Sequence, residues 1–397
     1  MAPAISHSAA ALLPYLCLLL TGSQSGNTLE PGVLVIRRGG TYSGTFSSLN
    51  SSVPCVRIKT TEPVVLNNCV LKGAGDLIVA ESGADLVVRN CRAYGLVPSE
   101  DNRARGRFLS IVDARRLLIE RNYLDHTTGI VVYRWSGDGS ARQTLTVRHN
   151  QVRNIDGRHR NGGADATPSF LGLNQVRGVA NIDISYNEVV NEPNQCSTGD
   201  VVNFYNSSGT AQSPMRFHNN YVQGAYPYPA NGPRYTGSGM TTDGDGESAL
   251  TTTAYLDAYQ NQFVSTCNAA MNIAAGHHIR YHHNRMVTSA LLPDGTPLKA
   301  VYAATSIFNF YKKPSTVFFA NRIDHNVIGY RNPGYQLPLP ERHDLSFENC
   351  TPCEENTHLP NPITLDTERA EWVMWQRKLQ RKALQVGPDT THDIVRY

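Results

Sequence analysis

Carboxylates at alternate positions are the first feature of this chain with chemistry in it. Asp243, Asp245 and Glu247 are separated by single glycines in the run Thr242-Asp-Gly-Asp-Gly-Glu247. Oxygen-bearing side chains on a glycine-loosened backbone suit a hard cation such as calcium, and the spacing resembles part of an EF-hand loop whose remainder is missing. Carboxylates set on either side of a glycosidic bond also suit acid/base work on a polysaccharide. A solvated turn is the plain alternative. Asp200 joins the group by phase: Asp200 to Gly209 aligns with Ser238 to Gly246, which brings Asp243 near Tyr205 and Asn206, with Asp200 further along the rung.

A second polar run, Asp156-Gly-Arg-His-Arg-Asn-Gly-Gly-Ala-Asp165, holds His159 between Arg158 and Arg160. Flanking cations favour the neutral imidazole, which can act as a base, while an arginine can neutralise a uronate carboxylate. A polysaccharide lyase needs that combination. Exposed basic residues in a loop explain the run equally well. In the excursion from Gly224 to Glu247, Tyr226, Tyr228 and Tyr235 are rigid rings able to stack on sugars, and Arg234 can pair with a uronate. A proline-stiffened loop whose tyrosines pack on neighbouring loops is the competing reading. The adjacent pairs His277-His278 and His282-His283 are less informative, because alternation on a strand lets only one member of each face a ligand.

The elements that must position these residues announce themselves by repetition. Asn181-Ile-Asp-Ile-Ser-Tyr-Asn187-Glu-Val-Val has close variants ending at Asn122, Asn150, Asn220 and Asn284. Each is a short strand with apolar residues at alternate positions, an asparagine, and a further apolar residue. The asparagines count the copies: Asn68, Asn90, Asn122, Asn150, Asn187, Asn220, Asn261, Asn284 and Asn326. The shortest steps are 22 and 23 residues, from 68 to 90 and from 261 to 284, and fit one full coil. One copy cannot bury its own apolar face, so coils must stack about 4.8 Å apart around a shared core. Equivalent asparagines then form a ladder of amide hydrogen bonds, a structural role rather than a catalytic one. The expected fold is all-β, a right-handed parallel β-helix of about nine to eleven coils with a C-terminal capping helix.

Boundaries follow. Residues 1–25 read as a secretion signal, an apolar stretch broken by Pro14 and followed by small polar residues, though no lysine or arginine precedes it. Residues 26–60 read as the N-terminal cap and first strands, 61–340 as the coil stack, and 341–397 as a tail with an amphipathic helix over 366–384. That helix has Asp366 or Thr367 as its N-cap, acidic residues early, basic residues late and Gly387-Pro388 as its stop; Trp372 and Trp375 belong to a face that packs on the last coil. A soluble, extracellular protein is expected, without a membrane span.

A net charge of +3, scattered among isolated arginines, excludes a nucleic-acid surface. Of 8 cysteines only Cys17 lies in the signal, leaving an odd number in an oxidising compartment. Cys69 and Cys91 each follow an asparagine directly and stack at the same phase, as a disulfide or as two buried thiols. Cys350 and Cys353 suit a local disulfide better than half a zinc site. Cys196 and Cys267 are a further pair, and Cys55 is left over.

With those rungs in view, the chain resembles secreted right-handed parallel β-helix proteins, the pectate-lyase-like superfamily, over residues 32 to 330. The resemblance implies carbohydrate as the partner, with lyases, glycoside hydrolases, epimerases and adhesins among its members. Ile36-Arg-Arg-Gly-Gly-Thr-Tyr-Ser-Gly44 is faintly similar to the first coil of alginate and chondroitin lyases. The R-x-P-x-x-R of pectate lyases and the G-H-G and R-I-K of polygalacturonases are absent, so no catalytic residue carries over. The reading is therefore a binder of an acidic polysaccharide, with cleavage as a lyase or a hydrolase left open, set against a non-catalytic glycan-binding or matrix protein.

Overall fold

Short strands with one apolar side must find partners above and below, and here they find them in the next coil. The computed structural model describes residues 32–389 except 82, 163, 164, 167, 335–338, 347 and 348; the expected signal, residues 1–25, lies outside the described residues. Pairing between successive strands is parallel throughout the stack. One face is a ten-stranded sheet running from Leu34–Ile36 to Val301–Ile307. The other two faces are halves of a 20-stranded sheet. Their rungs come in succession in each coil, as Asp183–Ser185 followed by Glu188–Val190 shows. This is the expected all-β parallel β-helix, and its last rungs, Cys353–Glu354 and Thr357–His358, extend the stack past residue 340.

The corner between the second and third faces explains the repeat. One residue of each coil bends into the left-handed region there: Arg121, His149, Tyr186, Asn219, Gln260, His283, His325 and Glu355, all with φ from 53 to 56°. The next residue points inward and builds the ladder. Asn122 donates its N–H and its Nδ2 to Asn150 Oδ1, both at 3.0 Å, and the pattern continues through Asn187, Asn220, Asn261, Asn284 and Asn326 to Asn356. The expected register fails in the first two coils. Asn68 and Asn90 are the left-handed bend residues themselves, at φ 55 and 53°, a conformation asparagine tolerates. Cys69 and Cys91 take the inward position, and the ladder closes where the Cys91 N–H donates to Asn122 Oδ1 at 3.0 Å.

One continuous apolar core fills the tube, with Phe204 edge-on to Phe217 within a coil at 6.2 Å and Phe217 stacked on Phe263 of the next coil at 6.3 Å. The helix, α1 (Leu365–Arg381), starts one residue before the expected range, and Thr364 rather than Asp366 or Thr367 is its N-cap, in a capping box with Thr367. It does not sit on the end of the stack. Glu368 accepts from the Ser289 N–H, Glu371 accepts from Gln262 and Arg285, and Trp375 Nε1 donates to Glu188 Oε2 at 2.8 Å. Those partners belong to successive coils of the third face, so α1 lies along the flank as a brace. Buried polar groups on that face require partners, and the helix supplies them. Among the described residues no helix is long and apolar enough to cross a membrane.

Candidate functional site

The ten-stranded face carries the site because its outward residues are polar where its inward residues are apolar. In Val202–Tyr205, Val202 and Phe204 are buried while Asn203 and Tyr205 face out, and the paired strand Met240–Asp243 sets Thr241 opposite Asn203 and Asp243 opposite Tyr205. Phase alignment thus places Asp243 correctly, and Asp200 lies just before the same rung. One amide joins the two acids: Asn203 Nδ2 donates to Asp200 Oδ2 at 3.0 Å and to Asp243 Oδ2 at 3.5 Å. Asp243 Oδ1 also accepts from the Tyr311 hydroxyl at 2.6 Å and the Gly244 N–H at 2.9 Å. Both carboxylates are half-buried.

The environments of the acids differ. Burial, and then the charge of Asp243, push Asp200 up to about 6, so it keeps its proton into the mildly acidic range. Asp245 is held below the usual carboxylate range by the hydrogen bond from Asn206 Nδ2 at 2.9 Å, with Tyr205 adding to it. Tyr311 is raised far above an ordinary phenol by burial and by Asp243, and so stays a donor. Glu247 leaves the group: it is 87% exposed and pairs with Lys313 at 2.6 Å. Asp243, Asp245 and Glu247 therefore have different partners, and among the described residues no group of three or more His, Cys, Asp or Glu converges as a metal site.

Loops on both sides of the face wall the site. On one side the excursions stack coil on coil, with Asp156 bridging to Ser197 and the Thr198 N–H donating to Tyr226 O at 3.0 Å. The second polar run lies in this wall, bonded at Asp156 and Asp165 to Ser197, which precedes Asp200 in the chain. Arg158 is bound to the fully buried Asp156 at 2.7 and 2.9 Å and lies over the Tyr228 ring, so as a catalytic cation it is already engaged. Arg160 pairs with Asp101, and His159 packs beside Gly162. Arg234 binds Asp165 through both nitrogens at 2.6 Å; against the burial that raises it, Arg234 and Ser197 hold Asp165 below the usual range. Arg234 thus ties two wall loops together instead of waiting for a uronate. Tyr226 is a correction: it is 2% exposed, part of the core, with its hydroxyl on Ser265 at 2.9 Å. Tyr228 and Tyr235 stay open at 52 and 43%.

Asn203, Tyr311 and Lys313 are the residues sequence reasoning missed. Asn203 was available from the same phase alignment, since an outward residue two before Tyr205 must neighbour Asp200. Tyr311 and Lys313 come from a loop two coils on, and no local signal marks their return. Only the first histidine pair divides as alternation requires, with His277 2% exposed and His278 outside; in the second, His282 faces out and stacks on Tyr259, and His283, at the left-handed bend, is exposed as well.

Comparison of the chain with models of protein families, with curated proteins and with solved structures finds no match.

Proposed function

We propose that this protein is a carbohydrate-active β-helix that hydrolyses a polysaccharide laid along its ten-stranded face, with Asp200 as general acid and Asp243 as its partner carboxylate. The observation that carries this is the pair of half-buried acids bridged by Asn203, one raised to about 6 and the other held by three donors. A carboxyl that keeps its proton to about 6 beside a second, hydrogen-bonded carboxyl is the arrangement that supplies the proton donor of glycoside hydrolysis. Elimination is less well supported, because Arg158, Arg160 and Arg234 already have carboxylate partners. Lys313, paired with Glu247, and Arg177, on the Asn206 carbonyl, are cations flanking Asp245, so acidic polymers are the first class to try.

The second reading, a glycan-binding matrix protein, draws on the open Tyr228 and Tyr235 rings in the wall. One assay separates the readings. The purified chain is incubated with polyuronates and with neutral glycans, following reducing ends, the ultraviolet absorbance of unsaturated products, and retention on the immobilised polymer. Reducing ends without unsaturation, lost in Asp200→Asn, support hydrolysis. Unsaturated product makes it a lyase, retention alone makes it a binder, and silence in all three removes both readings.

A further inference from the structure

From the geometry of the first coils we infer that Cys69 and Cys91 are an oxidation site, joined in the mature protein by a disulfide that covalently closes the start of the inward ladder. The two residues are opposite one another on in-register parallel strands, since Asn67 pairs with Arg89 and Val70 with Arg92. Rungs so paired are about 4.8 Å apart, within the roughly 4.4–6.8 Å between Cα atoms that a disulfide spans. Both side chains point inward at one phase, 1 and 0% exposed, and the Cys69 N–H already reaches Cys91 Sγ at 3.4 Å. The thiols also hydrogen-bond to each other, which lowers Cys69 and raises Cys91.

Position gives the bond its use. Every later rung of the ladder is fastened to the next by an asparagine amide, whereas this step has only sulfur contacts. It is also the step nearest the end of the stack, where Gly40–Ser48 pairs on one side alone. In this structure Cys350 and Cys353 are joined while Cys69 and Cys91 are still thiols, so the bond inferred here is one further oxidation of the same chain. Other cysteines do not compete well. Cys55 packs against Gly73 and donates to Lys72 O, and Cys196 and Cys267 are two coils apart, with the Ala225–Tyr226 segment between them accepting from the Cys267 and Thr198 N–H groups.

The chemistry is thiol–disulfide exchange with a small-molecule disulfide such as oxidised glutathione. The Cys69 thiolate attacks it and releases one glutathione thiolate; the Cys91 thiolate then attacks the mixed disulfide and releases the second. Two thiols and one glutathione disulfide become one protein disulfide and two glutathione thiols, the two protons passing to the leaving thiolates. Because both sulfurs are buried, the exchange belongs to folding rather than to the finished stack.

Peptide mapping tests it on the full chain, purified from a secreting host without reductant and, separately, refolded in a glutathione buffer. Free thiols are blocked in acid and denaturant before digestion with trypsin. The expected product links residues 60–72, which hold Cys69, to residues 90–92, which hold Cys91. Oxidised Cys350–Cys353 in the same digest is the internal control. Reductant should lower the thermal midpoint of the wild type by several degrees more than that of a Cys69→Ser, Cys91→Ser double variant. Recovery of both peptides blocked and unlinked, or of Cys69 linked to Cys55, beside an oxidised Cys350–Cys353 peptide, would overturn the inference.

Discussion

At the scale of single residues, the proposed hydrolysis rests on the surroundings of two aspartates in one patch. Asp200 has burial and a negative neighbour against it, while Asp243 has three donors. An acid that must be protonated to act loses activity as pH rises through its pKa, so turnover should fall above about 6. Asp200→Asn should lower kcat by about a hundredfold or more and flatten that limb, read as a pH–rate profile on a polymer the wild type cleaves. The shared amide adds a stereochemical prediction. Asn203 Nδ2 reaches both carboxylates, at 3.0 and 3.5 Å, so the two oxygens are at most about 6.5 Å apart, nearer the roughly 5–5.5 Å of retaining enzymes than the wider spacing of inverting ones. The first product should therefore keep its anomeric configuration, which proton NMR of fresh product reads directly. Asp200, Asp243 and Asp245 were legible in the sequence because coil phase is a long-range ruler. Tyr226 was misjudged because aromatic content marks a loop residue as available, while only the backbone path shows that it turns into the core.

Among elements, α1 shows what a sequence pattern withholds. Its amphipathic spacing and its tryptophans were legible, but the surface it meets was not, since any apolar face would satisfy the same periodicity. The flank wins because it offers polar partners: Glu188, Gln262, Arg285 and the Ser289 N–H all need a counterpart. Trp375 is fully buried and stacks on Tyr221 at 5.7 Å. Trp375→Ala should cost about 3–5 kcal/mol in urea unfolding and expose Tyr221 to a fluorescence quencher. Glu368 makes docking pH-dependent. Burial raises it from 4.5 to about 7, so the folded state holds the proton more tightly than the unfolded chain. Its stabilising contribution is complete below 4.5, declines as pH rises towards 7, and changes no further above that. The change is on the order of 3 kcal/mol. Thermal midpoints at pH 5 and pH 8 should differ less in Glu368→Gln than in the wild type.

For the whole molecule, stability is a sum over neighbouring coils, so the cost of a ladder mutation depends on where water can reach. Asn220 and Asn356 do the same work: each Oδ1 accepts an N–H and an Nδ2 from the asparagine of the preceding coil. Asn220 is 1% exposed in mid-stack, whereas Asn356 is half-buried on the last rung. Asn220→Ala strands two buried donors of Asn187, at about 1–3 kcal/mol each, while water replaces what Asn356→Ala removes, at a cost of about 1 kcal/mol or less. Urea midpoints of the two variants decide the matter, and equal losses would mean that the ladder is not what holds the coils in register. Asn220→Asp sharpens the test. A carboxylate there accepts from Asn187 as before, but it cannot donate to the Ile184 carbonyl or to Asn261 Oδ1, and its charge is buried without a cation. Protonation restores one donor and removes the charge. Burial without a cation raises the folded-state carboxyl above its unfolded value, so this variant should regain stability as pH falls from that raised value to the ordinary aspartate pKa of about 4, where the wild type does not.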